Sequence, residues 1–222
     1  MSLIVKICGL STPETLDAAL NAGADMVGFV FFQPSPRHLQ FDVARALGER
    51  VRGRAQKVAL TVDAEEPLLQ SIVEALRPDL LQLHGSESVA QIQAIRRKFG
   101  LPVMKAVPIA VKDDLARIGA YAAVADRLLF DARAPGNATR PGGLGNAFDW
   151  HLLKDVRPGV PFMLSGGLDA GNVGEALRIT RASGIDVSSG VERAPGVKDV
   201  DKIIAFVRAA RGAVAQPVHP AA

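Results

Sequence analysis

Residues 3–14 of this 222-residue chain, LIVKICGLSTPE, contain the unit from which its fold can be predicted. Residues 3–8 form a short run of mainly branched apolar side chains, which is typical of a buried β-strand. The segment STPE that follows has the spacing of a helix capping box, with proline in the first turn. We therefore predict a strand that ends near Cys8 and a helix that begins directly after it.

The same strand-to-helix unit recurs along the chain. Helical patterns, with apolar residues at i, i+3, i+4 and i+7, separate short apolar runs. The predicted strands are Leu3-Cys8, Met26-Phe31, Lys57-Val62, Leu80-His84, Pro102-Ala106, Arg127-Asp131, Pro161-Ser165 and Ile185-Ser189. Eight such units predict an α/β fold, a (β/α)8 TIM barrel in a single domain over residues 1–211. A doubly wound open sheet is the alternative, and residues 212–222 are predicted to be a flexible tail.

Composition and charge exclude several classes of protein. The chain is 48% hydrophobic and 22% charged, which is typical of a globular domain and not of a disordered or fibrous chain. No apolar stretch approaches the roughly 20 residues that span a bilayer, and the first residues lack a signal pattern, so we expect a cytoplasmic protein without a membrane partner. The net charge is +3, but the basic residues are dispersed, so nucleic acid is not an expected partner.

Strand parity predicts which polar side chains point into the barrel, because alternate residues of a strand face opposite sides of the sheet. The inward polar side chains of the first, fourth and sixth strands are Lys6, Cys8, Gln82, His84 and Asp131. Three of them, Cys8, His84 and Asp131, lie at the C-terminal ends of their strands, where barrels carry their active sites.

Cys8 and Asp131 are the candidates for acid-base chemistry across the barrel mouth. Cys8 is the chain's one cysteine, which excludes an internal disulfide and fits a reducing compartment. Each residue also has an ordinary structural explanation, an inert buried thiol and a helix-capping carboxylate. The four histidines are scattered without a metal-ligand spacing, so we predict no metal site.

Glycine-rich turns after the last three strands predict a phosphate site. Glycine lets backbone N–H groups approach an anion closely, and a short helix after Gly190 would direct its positive end at the phosphate. The candidate phosphate-binding residues are Gly143, Gly145, Gly166, Gly167, Ser189 and Gly190. Ordinary turn glycines are the alternative for any one of these turns.

Arg37 and His84 are candidate substrate contacts. Two prolines stiffen the segment before Arg37 and are expected to hold it over the barrel mouth, where its planar guanidinium would suit a carboxylate. A solvated surface arginine is the alternative. His84 ends an inward-facing strand, which favours a substrate contact over a packed core histidine.

Six motifs occur in order on the predicted strands. They are KICGL at 6–10, GFVF through SPR at 28–37, LQLHG at 81–85, LFD at 129–131, LSGGL at 164–168 and VSSGVE at 187–192. Each motif is weak alone, but the ordered set is specific. Together they closely resemble the phosphoribosylanthranilate isomerase family of tryptophan biosynthesis, over Leu3 to about Arg211.

The resemblance implies a cofactor-free Amadori rearrangement of N-(5-phosphoribosyl)anthranilate, an aldose-to-ketose isomerisation. The ribosylamine ring opens, a proton leaves C2, and the enolamine tautomerises to 1-(2-carboxyphenylamino)-1-deoxyribulose 5-phosphate. By motif, Asp131 is the general acid for the ring oxygen and Cys8 is the base for the C2 proton. By the same resemblance, Arg37 and His84 are expected to hold the anthranilate end, and Asp186 is expected to contact the ribose hydroxyls.

The sequence departs from the family pattern at Leu144, where the loop after the sixth strand usually has threonine. It leaves two alternatives open. A histidine-pathway type of phosphate-binding barrel isomerase runs a similar reaction but has aspartate where Cys8 stands, and a non-catalytic sugar-phosphate sensor would not need both Cys8 and Asp131. The protein is expected to be a monomer or a homodimer. Lys6 lies on the inward face two residues before Cys8, and we expect its charge to favour the thiolate form of Cys8.

Overall fold

The structure is a computed structural model that describes residues 2–215. In it the chain forms a closed barrel of eight parallel strands. The strands are β1 Ile4–Cys8, β2 Met26–Phe31, β3 Gln56–Thr61, β4 Leu80–Leu83, β5 Val103–Ile109, β6 Arg127–Ala132, β7 Phe162–Leu164 and β8 Gly184–Val187. Each strand pairs with the next along the chain, and β8 pairs with β1. The predicted single-domain (β/α)8 barrel is confirmed, and the open sheet is excluded.

Helices cover the outside of the barrel. They are α1 Pro13–Ala22, α2 Phe41–Val51, α3 Glu66–Leu76, α4 Val89–Phe99, α5 Ile118–Ala122, α6 Val173–Thr180 and α7 Val200–Ala215. Thr12 caps α1 by accepting a hydrogen bond from the Thr15 backbone N–H at 3.3 Å. The predicted capping box on Ser11 was therefore wrong by one residue, because Pro13 takes the first helical position, where its missing N–H costs nothing.

Two connections differ from a plain strand-to-helix repeat. Between β6 and β7 the described chain forms a long loop and one short 3₁₀ turn, Trp150–Leu153, instead of an α-helix. The loop is rich in glycine and proline, the residues with the poorest helix propensity. After β8 a hairpin of β9 Glu192–Ala194 and β10 Val197–Lys198 precedes α7. Both irregular connections lie at the C-terminal end of the barrel.

Helix α7 continues to Ala215, so the first four residues of the predicted tail, 212–215, are helical. The rest of that predicted tail, residues 216–222, lies outside the described residues. Over residues 2–215, no helix combines the length and the apolar character that crossing a membrane requires.

The inside of the barrel is apolar below and polar above. Its lower part is filled by Met26, Val58, Leu80, Met104, Ala106, Leu129 and Met163. The predicted inward residues Lys6 and Gln82 are fully buried above this layer, and the strand register places Lys6 opposite Asp186. The apolar layer closes the bottom of the barrel, so the polar groups are reached from the C-terminal ends of the strands.

Candidate active site

A cleft at the C-terminal ends of the strands brings the predicted site residues together. Its lining includes Cys8, Arg37, His84, Asp131, Gly143, Gly145, Gly166, Gly167, Asp186 and Ser189. Of the predicted residues, Gly190 does not line the cleft, because it packs against the backbone of Leu168, where an added Cβ would lie 1.9 Å from the carbonyl oxygen. Its contact with phosphate stays a prediction.

Cys8 is buried beside an ion pair in the barrel interior. The Lys6 ammonium donates to Asp186 Oδ1 at 2.9 Å. A Cβ on Gly28 would lie 2.9 Å from Cys8 Sγ and 3.1 Å from Lys6 Nζ, so the absence of a side chain at this position gives the thiol and the ammonium room to lie side by side.

The protonation of Cys8 is governed by burial. Burial raises the pKa of the Cys8 thiol, Lys6 lowers it and Asp186 raises it again, so that the pKa is raised overall. Burial lowers the pKa of Lys6, but Asp186 and Cys8 together raise it by more. The pKa of Lys6 is therefore raised overall, and Lys6 stays a cation. Lys6 therefore lowers the pKa of Cys8, as predicted, but its effect is smaller than that of burial, because Asp186 shares its charge. Cys8 is therefore a protonated thiol.

Replacing Lys6 by methionine is expected to shift the pH profile of kcat/KM to higher pH. A base must be deprotonated to act, so activity rises with pH through the pKa of Cys8, and loss of the neighbouring cation raises that pKa further. The profile is compared with that of Lys112→Met, which removes an exposed charge. Because Lys6→Met leaves the Asp186 carboxylate buried and unpaired, a Lys6→Met/Asp186→Asn variant is measured beside it. An unchanged profile in Lys6→Met would contradict the role of Lys6.

His84 contacts the candidate acid directly. His84 Nε2 lies 3.1 Å from Asp131 Oδ2, and the Ala132 backbone N–H donates to Asp131 Oδ1 at 2.9 Å. The Gln82 amide nitrogen lies 2.9 Å from His84 Nδ1 and can donate to it, which leaves the proton on Nε2 facing the carboxylate. Sequence reasoning assigned His84 to the anthranilate end alone and missed its hydrogen bond to Asp131.

Arg37 is held by a buried carboxylate that sequence reasoning also missed. The Nε and Nη2 atoms of Arg37 each donate to a Glu192 oxygen at 2.7 Å, and Nη2 also donates to the Gly143 carbonyl at 3.2 Å. Arg37 is 4% exposed, which excludes the solvated surface arginine. Its position over the barrel mouth therefore depends on Glu192 in β9 as well as on the prolines before it.

Lys198, in β10, forms a buried ion cluster with Arg37 and Glu192. Its ammonium donates to Glu192 Oε1 at 2.7 Å and to the Ser188 carbonyl at 2.8 Å. Burial lowers the pKa of Lys198 to about 8 against the opposing effect of Glu192. Burial raises the pKa of Glu192, but Arg37 and Lys198 outweigh it, so that the pKa is lowered and Glu192 stays ionised. The hairpin after β8 therefore supplies Glu192, which neutralises Arg37, and Lys198, which pairs with Glu192.

The three glycine-rich turns converge on the other side of the cleft. Gly166 and Gly167 both have positive φ, and a Cβ on Gly167 would lie 2.7 Å from the Ala147 backbone nitrogen. A Cβ on Gly145 would lie 3.7 Å from Ser189 Oγ, so the loop after β6 reaches the turn after β8. The short helix predicted after Gly190 is a single 3₁₀ turn, Ser189–Val191, which begins before Gly190.

The chain is similar to known proteins over nearly its whole length. A family model described as N-(5'phosphoribosyl)anthranilate (PRA) isomerase matches residues 5–209. The N-(5'-phosphoribosyl)anthranilate isomerase of Bradyrhizobium sp. (strain ORS 278) is 67% identical over 213 residues, which cover 96% of this chain and 97% of that protein.

Solved structures of similar proteins share the fold. Phosphoribosyl anthranilate isomerase from Thermotoga maritima superposes with a TM-score of 0.86 at 33% identity, covering 95% of this chain and 99% of that one. A second structure describes monomers generated from the dimeric T. maritima enzyme, with TM-score 0.82, 32% identity and the same coverage. A third holds reduced 1-(o-carboxyphenylamino)-1-deoxyribulose 5-phosphate, with TM-score 0.83, 31% identity and coverage of 95% and 99%. With the family match over nearly its whole length, the chain belongs to the N-(5'-phosphoribosyl)anthranilate isomerase family, the isomerases of tryptophan biosynthesis.

Proposed function

We propose that the chain converts N-(5'-phosphoribosyl)anthranilate into 1-(2-carboxyphenylamino)-1-deoxyribulose 5-phosphate by general acid-base catalysis, as an aldose-ketose isomerase. The observation that carries this proposal is a thiol at the end of β1 and a carboxylate at the end of β6 that line one cleft. Strands β7 and β8 separate them in the barrel, so a ribose can lie between an acid and a base.

Asp131 acts first, as the acid that opens the ring. It gives its proton to the ring oxygen while the nitrogen lone pair of the anthranilate forms a C1–N double bond and the C1–O bond breaks. The hydrogen bonds from His84 and from the Ala132 backbone hold the carboxyl group in one orientation during this transfer. The product of the step is an open-chain protonated imine.

Cys8 acts second, as the base that takes the proton from C2. The electron pair of the C–H bond forms a C1–C2 double bond while the electron pair of the C1–N double bond returns to nitrogen, which gives an enolamine. The ketose forms when C1 gains a proton and the C2 hydroxyl loses one. Two protons are gained, at the ring oxygen and at C1, and two are lost, from C2 and from its hydroxyl, so the reaction is an isomerisation without net proton transfer. The imine nitrogen accepts the electron pair, so this chemistry requires no cofactor.

The protonated imine also bears on the raised pKa of Cys8. A cation that arrives beside a buried thiol favours the thiolate, as Lys6 also does. Cys8 would therefore ionise when the ring has opened, at the point where the reaction needs a base.

The two ends of the substrate are held on opposite sides of the cleft. The glycine turns after β7 and β8, with Ser189, suit the phosphate, and Arg37 suits the anthranilate carboxylate. Asp186 Oδ1 accepts a hydrogen bond from Lys6, and Asp186 Oδ2 has no hydrogen-bond partner among residues 2–215, which suits a ribose hydroxyl.

The test is an assay of the purified chain with two substrates, N-(5'-phosphoribosyl)anthranilate and the imidazole ribonucleotide of the histidine-pathway isomerase. We expect turnover of the first, with solvent deuterium at C1 of the product when the reaction runs in D₂O. Turnover of the imidazole substrate alone would favour the histidine-pathway alternative, and binding without turnover would favour the sensor. The cytoplasmic location and the monomeric or homodimeric state stay predictions.

A further inference from the structure

Three arginines line the cleft, and they differ in how their charges are compensated. Arg37 is paired with Glu192, and Arg133 is paired with Asp114. Arg140, in the loop after β6, has no carboxylate partner in the described part of the chain, and its Nε is buried without a hydrogen-bond acceptor. A buried N–H donor without an acceptor is costly, so this guanidinium is suited to a ligand that supplies one.

Arg37 and Arg140 converge on one backbone oxygen. Arg37 Nη2 donates to the Gly143 carbonyl at 3.2 Å, and Arg140 Nη2 lies 3.5 Å from the same oxygen. The first distance is at the upper end of the usual range of about 2.7–3.2 Å and the second is beyond it, whereas a guanidinium typically bonds an ionised acceptor at about 2.7–2.9 Å. The Gly143 carbonyl therefore occupies a position where a carboxylate oxygen would form two stronger bonds.

Arg37 by itself has too few free N–H donors to hold a carboxylate from two sides. Its Nε and Nη2 edge, which pairs side by side with a carboxylate, already holds Glu192. Among residues 2–215, only Nη1 of this guanidinium lacks a hydrogen-bond partner, and it lies close to the loop, because a Cβ on Gly143 would be 2.6 Å from it. A second cation is needed for two-sided recognition of the substrate carboxylate.

We propose that Arg140 is that second cation, and that the anthranilate carboxylate displaces the Gly143 carbonyl and binds between Arg37 and Arg140. This assignment rests on the proposed function and names a further specificity-determining residue of the same site. Because ligands without the carboxylate leave the Arg140 donors unpaired, Arg140 selects for it.

The test compares two probes that differ only in the carboxylate. One is reduced 1-(2-carboxyphenylamino)-1-deoxyribulose 5-phosphate and the other is its phenylamino counterpart. Their Kd values are measured by calorimetry for the wild type, Arg140→Met, Arg140→Lys and the control Arg157→Met, which removes an exposed arginine.

We expect Arg140→Met to weaken binding of the carboxylated probe by about tenfold to a hundredfold, the usual cost of a lost hydrogen bond to a charged group, and to leave the phenylamino probe within about twofold. Arg140→Lys should recover part of the loss, because lysine keeps the charge but lacks the planar fork. Arg157→Met should bind both probes like the wild type.

The outcomes separate this assignment from the proposed function. Equal weakening of both probes in Arg140→Met would show a general role of the loop, and no weakening would show that Arg37 suffices. Either result, with normal wild-type turnover, overturns the assignment of Arg140 alone. A wild-type chain that neither turns over the substrate nor binds either probe overturns the proposed function.

Discussion

Replacing Cys8 by serine is expected to lower kcat by about a hundredfold to ten-thousandfold, the range found when a positioned general base is removed. Serine has nearly the same shape, but its hydroxyl is a much weaker acid than a thiol, so the alkoxide needed to take the C2 proton is scarcely populated. The substitution replaces neither partner of the Lys6–Asp186 pair beside it. The measurement is steady-state turnover of N-(5'-phosphoribosyl)anthranilate.

Binding supplies the control for this variant. The reduced product should bind Cys8→Ser within about threefold of the wild type, because a group that acts mainly in the transition state contributes little to ground-state affinity. A variant that keeps its full kcat would exclude Cys8 as the base. A parallel loss of affinity and of thermal stability would show a structural role instead.

Alkylation measures the pKa of Cys8 directly, since no other thiol is present in the chain. The thiolate is the reactive form, so the rate of reaction with iodoacetamide rises with pH and its midpoint reports the pKa. Because burial raises that pKa, we expect the midpoint above the value of about 8.5 for a free cysteine. A midpoint below that value would contradict the dominance of burial.

Replacing Asp131 by asparagine is expected to lower kcat by a similar factor, about a hundredfold to ten-thousandfold. The amide keeps the shape of the side chain and can still accept a hydrogen bond from His84 Nε2, but it has no proton to give to the ring oxygen. Asp155→Asn is the matched control, because Asp155 is exposed and the same chemical change there should leave kcat within about twofold.

Affinity again distinguishes catalysis from structure. If Asp131 acts as the acid, Asp131→Asn binds the reduced product nearly as well as the wild type while turnover is lost. An active Asp131→Asn variant would exclude Asp131 as the acid. A variant that loses both binding and thermal stability would show that the hydrogen bond between His84 and Asp131 mainly holds the barrel mouth together.

The barrel and the direction of its inward side chains could be predicted from local sequence patterns. Strand periodicity is a local property, so Lys6 and Gln82 were placed correctly inside the barrel without any knowledge of what lies opposite them. The order of strands followed as well, because each strand pairs with its neighbour in sequence. The connection after β6 was predicted in part, since its glycines form a loop as expected, but the helix expected after that loop is a single 3₁₀ turn.

The hydrogen-bond partners and the electrostatics of the site depend on contacts between residues that are distant in the sequence. Glu192 is 155 positions from Arg37, and Asp186 is 180 positions from Lys6, so no local pattern links either pair. The depth of burial at Cys8 is likewise a property of the closed barrel, and it reverses the expected balance between Lys6 and desolvation. A single chain encodes which residues face inward through short-range alternation. Which charges meet there depends on how the barrel closes and on how the hairpin after β8 folds back over its mouth.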